Sequence, residues 1–121
     1  MSIALAKWTV ADYHRMAAAG VLAGRRVELI AGDIVEMAPE GPLHRYTNAG
    51  VQGYFQELLG ERALVLPPGP IELPDGSSEP EPDISVVAAL GAVYKTRLPR
   101  LADIYWLMEI SDALNLSLKS I

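Results

Sequence analysis

The stretch Glu81-Pro82-Asp83-Ile84-Ser85-Val86-Val87 places an acid at the entrance of a short apolar run. A run of this length with β-branched side chains predicts a buried strand. A second acid, Glu109, is embedded in Tyr105-Trp106-Leu107-Met108-Glu109-Ile110-Ser111, which predicts another strand. A carboxylate among apolar residues costs several kcal/mol unless a cation or hydrogen bonds meet it. The two acids therefore predict a metal site.

The composition predicts one domain that spans residues 1-121. A chain of 121 residues buries roughly two-thirds of its unfolded surface when it packs alone. Half of the residues are hydrophobic, yet no stretch approaches the roughly 18 apolar residues that span a bilayer, so no membrane partner is expected. The first residues do not have the pattern of a secretory signal, and we therefore expect a cytoplasmic location.

Residue usage narrows the chemistry of any metal site. The chain has no cysteine, so the ligands must be oxygen atoms or imidazole nitrogens, and oxygen favours Mg2+, Mn2+ or Ca2+. The 15 acids and 10 bases give a net charge of -5. This charge opposes long-range attraction to nucleic acid, so a contact with DNA must be local or bridged by metal.

Two helices are predicted in the first half of the chain. Thr9 has the place of an N-cap, with Asp12 at the capping-box position and Gly20 beyond the end of a short helix. Apolar side chains recur at helical spacing from Leu43 to Leu59 and stop at Gly60. The second helix is the longer one and is expected to cover a sheet.

Short strands are predicted around these helices. Residues 26-37 alternate about Ala31-Gly32-Asp33, which indicates a hairpin with Glu28 on a partly apolar face. Two short strands are expected at residues 63-66 and 71-73, interrupted by a proline-rich turn. The hairpin and these strands predict a fold of mixed α and β elements.

The second half of the chain has one long connection and one last predicted strand. The connection spans residues 88-103 and contains the dense basic stretch of this acidic chain, with Tyr94, Lys95, Arg97 and Arg100. These side chains can contact phosphates or stack on a base, or they can balance neighbouring acids in a solvated loop. The last strand is expected at residues 104-111. Residues 112-121 have weak helical character, and no further strand is predicted there.

Several short segments follow one another in an order that resembles a known family. They are Trp8-Thr9-Val10-Ala11-Asp12-Tyr13, Val27-Glu28-Leu29-Ile30-Ala31-Gly32-Asp33-Ile34, Leu43-His44, Pro82-Asp83-Ile84-Ser85-Val86-Val87, Tyr94-Lys95-Thr96-Arg97-Leu98-Pro99-Arg100 and Met108-Glu109-Ile110-Ser111-Asp112. In this order the chain resembles the Uma2 family of the PD-(D/E)XK nuclease superfamily. The resemblance implies a restriction endonuclease-like α/β core, in which helices flank a mixed β-sheet.

The resemblance also implies a site and a reaction. Asp83 and Glu109 are implied as ligands of a divalent metal, Mg2+ or Mn2+, and Glu28 matches an additional acid. The implied activity is metal-dependent hydrolysis of DNA phosphodiester bonds. Such hydrolysis needs an activated water and a stabilised leaving oxygen, which a metal held by carboxylates provides. His44, near a helix start, is a candidate for substrate binding or for a local hydrogen bond.

The chain departs from the superfamily pattern at its C-terminal end. The expected lysine position, two residues after the second acid, is Ser111, and Lys119 is the candidate replacement as a base or phosphate partner. The family pattern normally continues through a helix and a further strand. The resemblance therefore implies that both are missing and that the chain is truncated.

Three functional hypotheses stay open on these observations. The first is a metal-dependent DNA endonuclease, and the second is a truncated, non-catalytic member that binds or assembles. The third is a metal-dependent hydrolase of small phosphate esters. A missing strand exposes a sheet edge, which predicts a homodimer or a higher homo-oligomer. Asp83 can instead be a turn acid, and Glu109 can be a strand-end carboxylate held by Arg97 or Arg100.

Overall fold

The computed structural model describes residues 1-111 and, for the backbone, residues 115-119. Two helices, α1 and α2, and six strands, β1 to β6, occur in these residues. In chain order they are α1 Val10–Ala18, β1 Val27–Ile30, β2 Asp33–Glu36, α2 Pro42–Leu59, β3 Leu64–Leu66, β4 Ile84–Val87, β5 Ile104–Ser111 and β6 Asn115–Lys119. This mixed α+β content agrees with the fold class expected from the sequence. None of the described helices combines the length and the apolar character needed to cross a membrane.

The elements group into two compact units. The first unit comprises residues 1-39 and 73-80, and the second comprises residues 40-72 and 81-121. Each unit has a hydrophobic cluster of its own. The candidate residues for chemistry are divided between them, with Glu28 in the first unit and Asp83 and Glu109 in the second.

The first unit begins with α1, whose N-terminus has the predicted capping box. The backbone N–H of Asp12 donates to the Thr9 hydroxyl at 3.1 Å, and the Thr9 N–H donates to the Asp12 carboxylate at 3.0 Å. The hydrogen bond from the Thr9 backbone lowers the pKa of Asp12. These bonds satisfy donors that a helix start otherwise leaves unpaired.

The predicted hairpin is formed by β1 and β2, which pair antiparallel from Val27 opposite Glu36 to Ile30 opposite Asp33. The turn between them consists of Ala31 and Gly32, with φ of 48° and 83°. Positive φ at both positions matches the twist of a tight hairpin and explains the glycine. As predicted, the strand alternates, because its odd-numbered residues are buried while Glu28 is only half-buried.

The second unit is a four-stranded sheet covered by α2. Its strand order is β3-β4-β5-β6, and neighbouring strands run antiparallel. The predicted helix and the predicted last strand are both present, and β5 has the expected bounds. Apolar side chains of the sheet and of α2 form the core, namely Ala63, Val65, Ile84, Val86, Met108, Ile110, Val51, Phe55 and Leu59.

The prediction that no strand follows residue 111 is wrong. Residues Asn115–Lys119 form β6, which pairs with β5 from Ser111 opposite Asn115 to Leu107 opposite Lys119. The cause is visible in the alternation of apolar and polar residues over Leu114-Asn115-Leu116-Ser117-Leu118-Lys119. A period of two belongs to a strand and not to a helix.

The prediction of a short strand at residues 71-73 is also wrong. This segment makes one parallel bridge, between Glu72 and Arg100, and no continuous ladder. Only Glu72 contributes its backbone donor there, to the Pro99 carbonyl at 2.8 Å. Prolines precede and follow the segment in sequence, and they cannot donate to a ladder.

Candidate metal centre

The start of α2 carries an acid and a histidine one turn apart. Glu40 precedes the helix, Gly41 is the N-cap, and Pro42 occupies the first helical position. Glu40 is therefore outside the helix, and the path of the chain through the extended N-cap brings its carboxylate toward His44. The distance from His44 Nε2 to Glu40 Oε1 is 3.6 Å.

Asp83, directly before β4, meets this end of α2. Its Oδ1 lies 3.3 Å from His44 Nε2, and its Oδ2 accepts the backbone N–H of Ile110 at 2.7 Å. Its main-chain carbonyl accepts the Asn48 amide at 3.2 Å. Only 7% of Asp83 is exposed. Three atoms of this one residue are therefore held by α2 and β5.

Glu40, His44 and Asp83 form a group with the geometry of a metal site. Each offers one ligand atom, and the three atoms lie within 4.8 Å of one another. In an octahedral shell with bonds of about 2.1 Å, neighbouring ligands are about 3 Å apart. The two separations from His44, 3.3 and 3.6 Å, are close to that spacing, and the third pair, Glu40 and Asp83, lies within 4.8 Å.

Asn48 adds a buried polar atom beside this group. Its amide nitrogen must face the Asp83 carbonyl, because two carbonyl oxygens would repel one another. Its side-chain oxygen, in contrast, has no hydrogen-bond partner within the described part of the chain. A buried acceptor in this state costs free energy until a donor reaches it. The oxygen is therefore able to accept a hydrogen bond from a donor such as water.

Glu109 lies in the neighbouring strand, β5. Met108 pairs with Ile84, so continuing this register by one residue brings Asp83 alongside Glu109. Met108 and Ile110 pack in the core with α2, so strand alternation puts Glu109 on the other face of β5. Glu109 is half-buried and is not a member of the three-residue group. Its coordination of an ion shared with Asp83 stays a prediction.

Two further residues predicted for the site, Glu28 and Lys119, lie in other strands, β1 and β6. Glu28 is half-buried in β1, where it pairs with Val35, and it belongs to the first unit. The backbone of Lys119 ends β6 opposite Leu107, but its side chain lies outside the described residues. The roles of Glu28 as a third acid and of Lys119 as a base remain predictions.

The basic stretch of the long connection is engaged with neighbouring groups. Arg97 donates to the Asp103 carboxylate at 2.7 Å and lies over the Tyr94 ring at 5.9 Å. Arg100 pairs with Glu72 at 3.2 Å. Lys95 is exposed at the end of a short 3-10 helix, Gly91–Lys95. These arginines balance acids of their own unit, and their contact with DNA stays a prediction.

Comparison with known proteins identifies the family. The model of the Uma2 family, described as "Putative restriction endonuclease", matches residues 10–113. The chain belongs to the Uma2 family. Searches of curated proteins and of solved structures found no match. Uma2 membership suggests a nuclease. Restriction endonuclease-like families generally use a divalent metal, which the Glu40, His44 and Asp83 group is able to hold.

Two residues of the candidate centre were not predicted from the sequence. The sequence analysis gives no role to Glu40 or Asn48. For Asn48 the available signal is its spacing from His44, because residues four apart share one side of a helix that begins at Pro42. Glu40 precedes the helix, so helical spacing does not predict its position.

Proposed function

We propose that this Uma2 protein hydrolyses phosphodiester bonds of DNA with a divalent metal ion bound at Asp83. The observation that supports the proposal most directly is the convergence of Asp83, His44 and Glu40 in a chain whose family is one of nucleases. Nothing else in the described residues groups three such ligands so closely. The expected ion is Mg2+ or Mn2+, which carboxylate-rich sites favour.

Neighbouring residues orient the Asp83 carboxylate as a metal ligand. The Ile110 N–H holds Oδ2, so that Oδ1 is presented toward His44. Orientation of a ligand by such outer contacts typically strengthens metal binding. A divalent ion bound there supplies an activated water and charge stabilisation for the leaving oxygen. Glu109 is proposed as a further carboxylate in addition to Glu40, because the strand register brings it alongside Asp83.

The remaining predicted residues are proposed to handle the substrate. Glu28 is the third acid, and Lys119 is the cation that stabilises charge on the scissile phosphate or assists deprotonation. Tyr94, Lys95, Arg97 and Arg100 are proposed contacts to the DNA backbone. For Arg97 and Arg100 this requires the exchange of an acid partner for a phosphate.

A plasmid-nicking assay with added Mg2+ or Mn2+ tests the proposal. The wild type is expected to nick the plasmid with metal and not with EDTA, and Asp83→Asn and Glu109→Gln are expected to lower the rate at least about 100-fold. Asp33→Asn is a matched control, because Asp33 is an exposed acid paired with Lys7. Full activity of Asp83→Asn, or a metal-independent wild type, contradicts the proposal.

The second candidate function is a non-catalytic module that binds or self-assembles. Ser111 in place of the motif lysine favours it. In the described sheet, β5 is paired with β6, so the edges proposed for self-association are those of β3 and β6. Light scattering tests self-assembly, which a monomer mass contradicts, and the plasmid-nicking assay tests nuclease action separately.

A further inference from the structure

We infer that His44 binds the metal ion directly and makes the site select a first-row transition ion, such as Mn2+ or Co2+, over Mg2+. This inference rests on the proposed metal site at Asp83 and concerns which ion it holds. His44 was expected to contact substrate or to form a local hydrogen bond, and Glu40 had no assigned role. The geometry instead groups both side chains with Asp83.

The position of His44 supports coordination. Its Nε2 atom lies 3.3 Å from an Asp83 carboxylate oxygen and 3.6 Å from a Glu40 carboxylate oxygen. An ion that contacts all three atoms would replace two long ion-pair contacts by three short coordinate bonds. The His44 side chain is 21% exposed, so solvent reaches this group.

The donor set decides which ion is preferred. Two carboxylates and one imidazole combine two hard oxygen ligands with a nitrogen ligand of intermediate softness. Imidazole suits transition ions much better than it suits Mg2+, and affinity rises along the series from Mn2+ through Co2+. A site made of carboxylates alone would discriminate far less between Mg2+ and Mn2+.

A second observation concerns a buried polar side chain on the same helix. Asn48 follows His44 by one turn of α2, is 6% exposed, and has a side-chain oxygen with no partner in the described residues. Water molecules in the hydration shell of an ion are strong donors for such an oxygen. The same amide fixes the carbonyl of Asp83, so Asn48 positions a ligand as well.

Isothermal titration of the full chain with Mg2+, Mn2+ and Co2+ tests the inference. The wild type is expected to bind Co2+ most tightly and Mg2+ most weakly. His44→Gln is expected to lower the Co2+ affinity about 10- to 100-fold while changing the Mg2+ affinity little. Glu40→Gln is expected to weaken all three ions by similar factors, because it removes charge.

His14→Gln is the matched control, since His14 also pairs with an acid, Glu79, but lies outside the group. It is expected to leave every affinity unchanged. Pulsed electron paramagnetic resonance of Mn2+ bound to the wild type adds a measurement that does not depend on whether a variant folds. Nitrogen coupling to the bound Mn2+, retained in His14→Gln, is the expected result. Absence of that coupling, or equal Mg2+ and Co2+ affinities, overturns the inference.

The two proposals fail separately in these experiments. Cleavage that depends on Asp83, together with unchanged Co2+ affinity in His44→Gln, overturns the role of His44 and leaves the proposed nuclease intact. Nitrogen-coordinated Mn2+ in a chain that cuts no DNA supports the role of His44 and contradicts the nuclease.

Discussion

Asp83 connects a helix, a strand and the candidate metal centre through different atoms. Its carbonyl accepts the Asn48 amide, and one carboxylate oxygen accepts the Ile110 N–H. The other carboxylate oxygen lies beside His44. Because these contacts are buried or partly buried, they are shielded from competing water. The residue is therefore held in place before any ion binds.

Asn48→Leu tests how much this connection contributes to folding. The substitution keeps the size of the side chain but leaves the Asp83 carbonyl without its donor. We expect a loss of about 1 to 3 kcal/mol in the free energy of unfolding, measured by urea denaturation. Tyr46→Leu, at a position of α2 that is 79% exposed, is the control and should change stability by less than about 0.5 kcal/mol. Equal stability of Asn48→Leu and the wild type contradicts the expectation.

Sequence reasoning reached Asp83 because an acid at the entrance of an apolar strand stands out by its cost. It reached His44 only as a candidate contact, and it did not reach Glu40. The difference is physical: the role of Glu40 depends on where a helix begins and on how that helix packs against β4. Packing of this kind involves residues far apart in the chain, and no local pattern specifies it.

At the scale of elements, local chemistry predicted most of the fold. The capping box of α1 is a contact between residues three apart, and β5 has a long apolar run. The strand β6 was missed because its alternation of apolar and polar residues is short. The segment at residues 71-73 was overpredicted because apolar content does not supply the backbone donors that prolines remove.

The connection between β4 and β5 is organised by one acid. Asp103 accepts hydrogen bonds from Arg97 at 2.7 Å and from the Arg100 backbone at 3.0 Å. The Asp103 carbonyl also accepts the Ala88 N–H at 2.8 Å. The hydrogen bond between Ala88 and Asp103 thus joins the two ends of this connection. The hydrogen bond from Arg97 is the main cause that lowers the pKa of Asp103.

Asp103→Asn is expected to lower stability most near neutral pH. A carboxyl group whose pKa is lowered by folding stabilises the fold above its ordinary pKa, and this contribution disappears as pH falls through the lowered value. The stability difference between wild type and variant should therefore shrink on acidification below about pH 4. Urea unfolding from pH 7 to pH 3 measures it.

The control for this prediction is Asp33→Asn, which removes an acid from an exposed pair with Lys7. Screening by water leaves such pairs with little effect on stability. A difference for Asp103→Asn that stays constant across the whole pH range is the contrary result. It would show that the substitution acts through packing and not through charge.

For the whole molecule, charge limits how DNA is bound. The chain has 10 bases against 15 acids. At least five of those bases pair with acids in the described residues, namely Lys7, Arg15, Arg25, Arg97 and Arg100. Few cations are then left to neutralise phosphates, so a bound metal must supply much of the attraction.

Binding of a short DNA duplex should therefore depend on metal and only weakly on salt. Fluorescence anisotropy with Ca2+ is expected to give a slope of log affinity against log salt shallower than about -3, the value for roughly three phosphate contacts. EDTA should abolish binding. Tight binding in EDTA with a slope of about -6 or steeper would reveal a broad basic surface and contradict the expectation.

The attachment of Asp83 to α2 has a consequence for anyone who re-engineers this protein. The amide that anchors the carbonyl and the imidazole beside the carboxylate project from the same helix. A redesigned core that shifts α2 by a fraction of an ångström would change the distances between the candidate ligand atoms while leaving the melting temperature nearly unchanged. Activity assays are therefore more sensitive than thermal screens to the effect of substitutions in this helix.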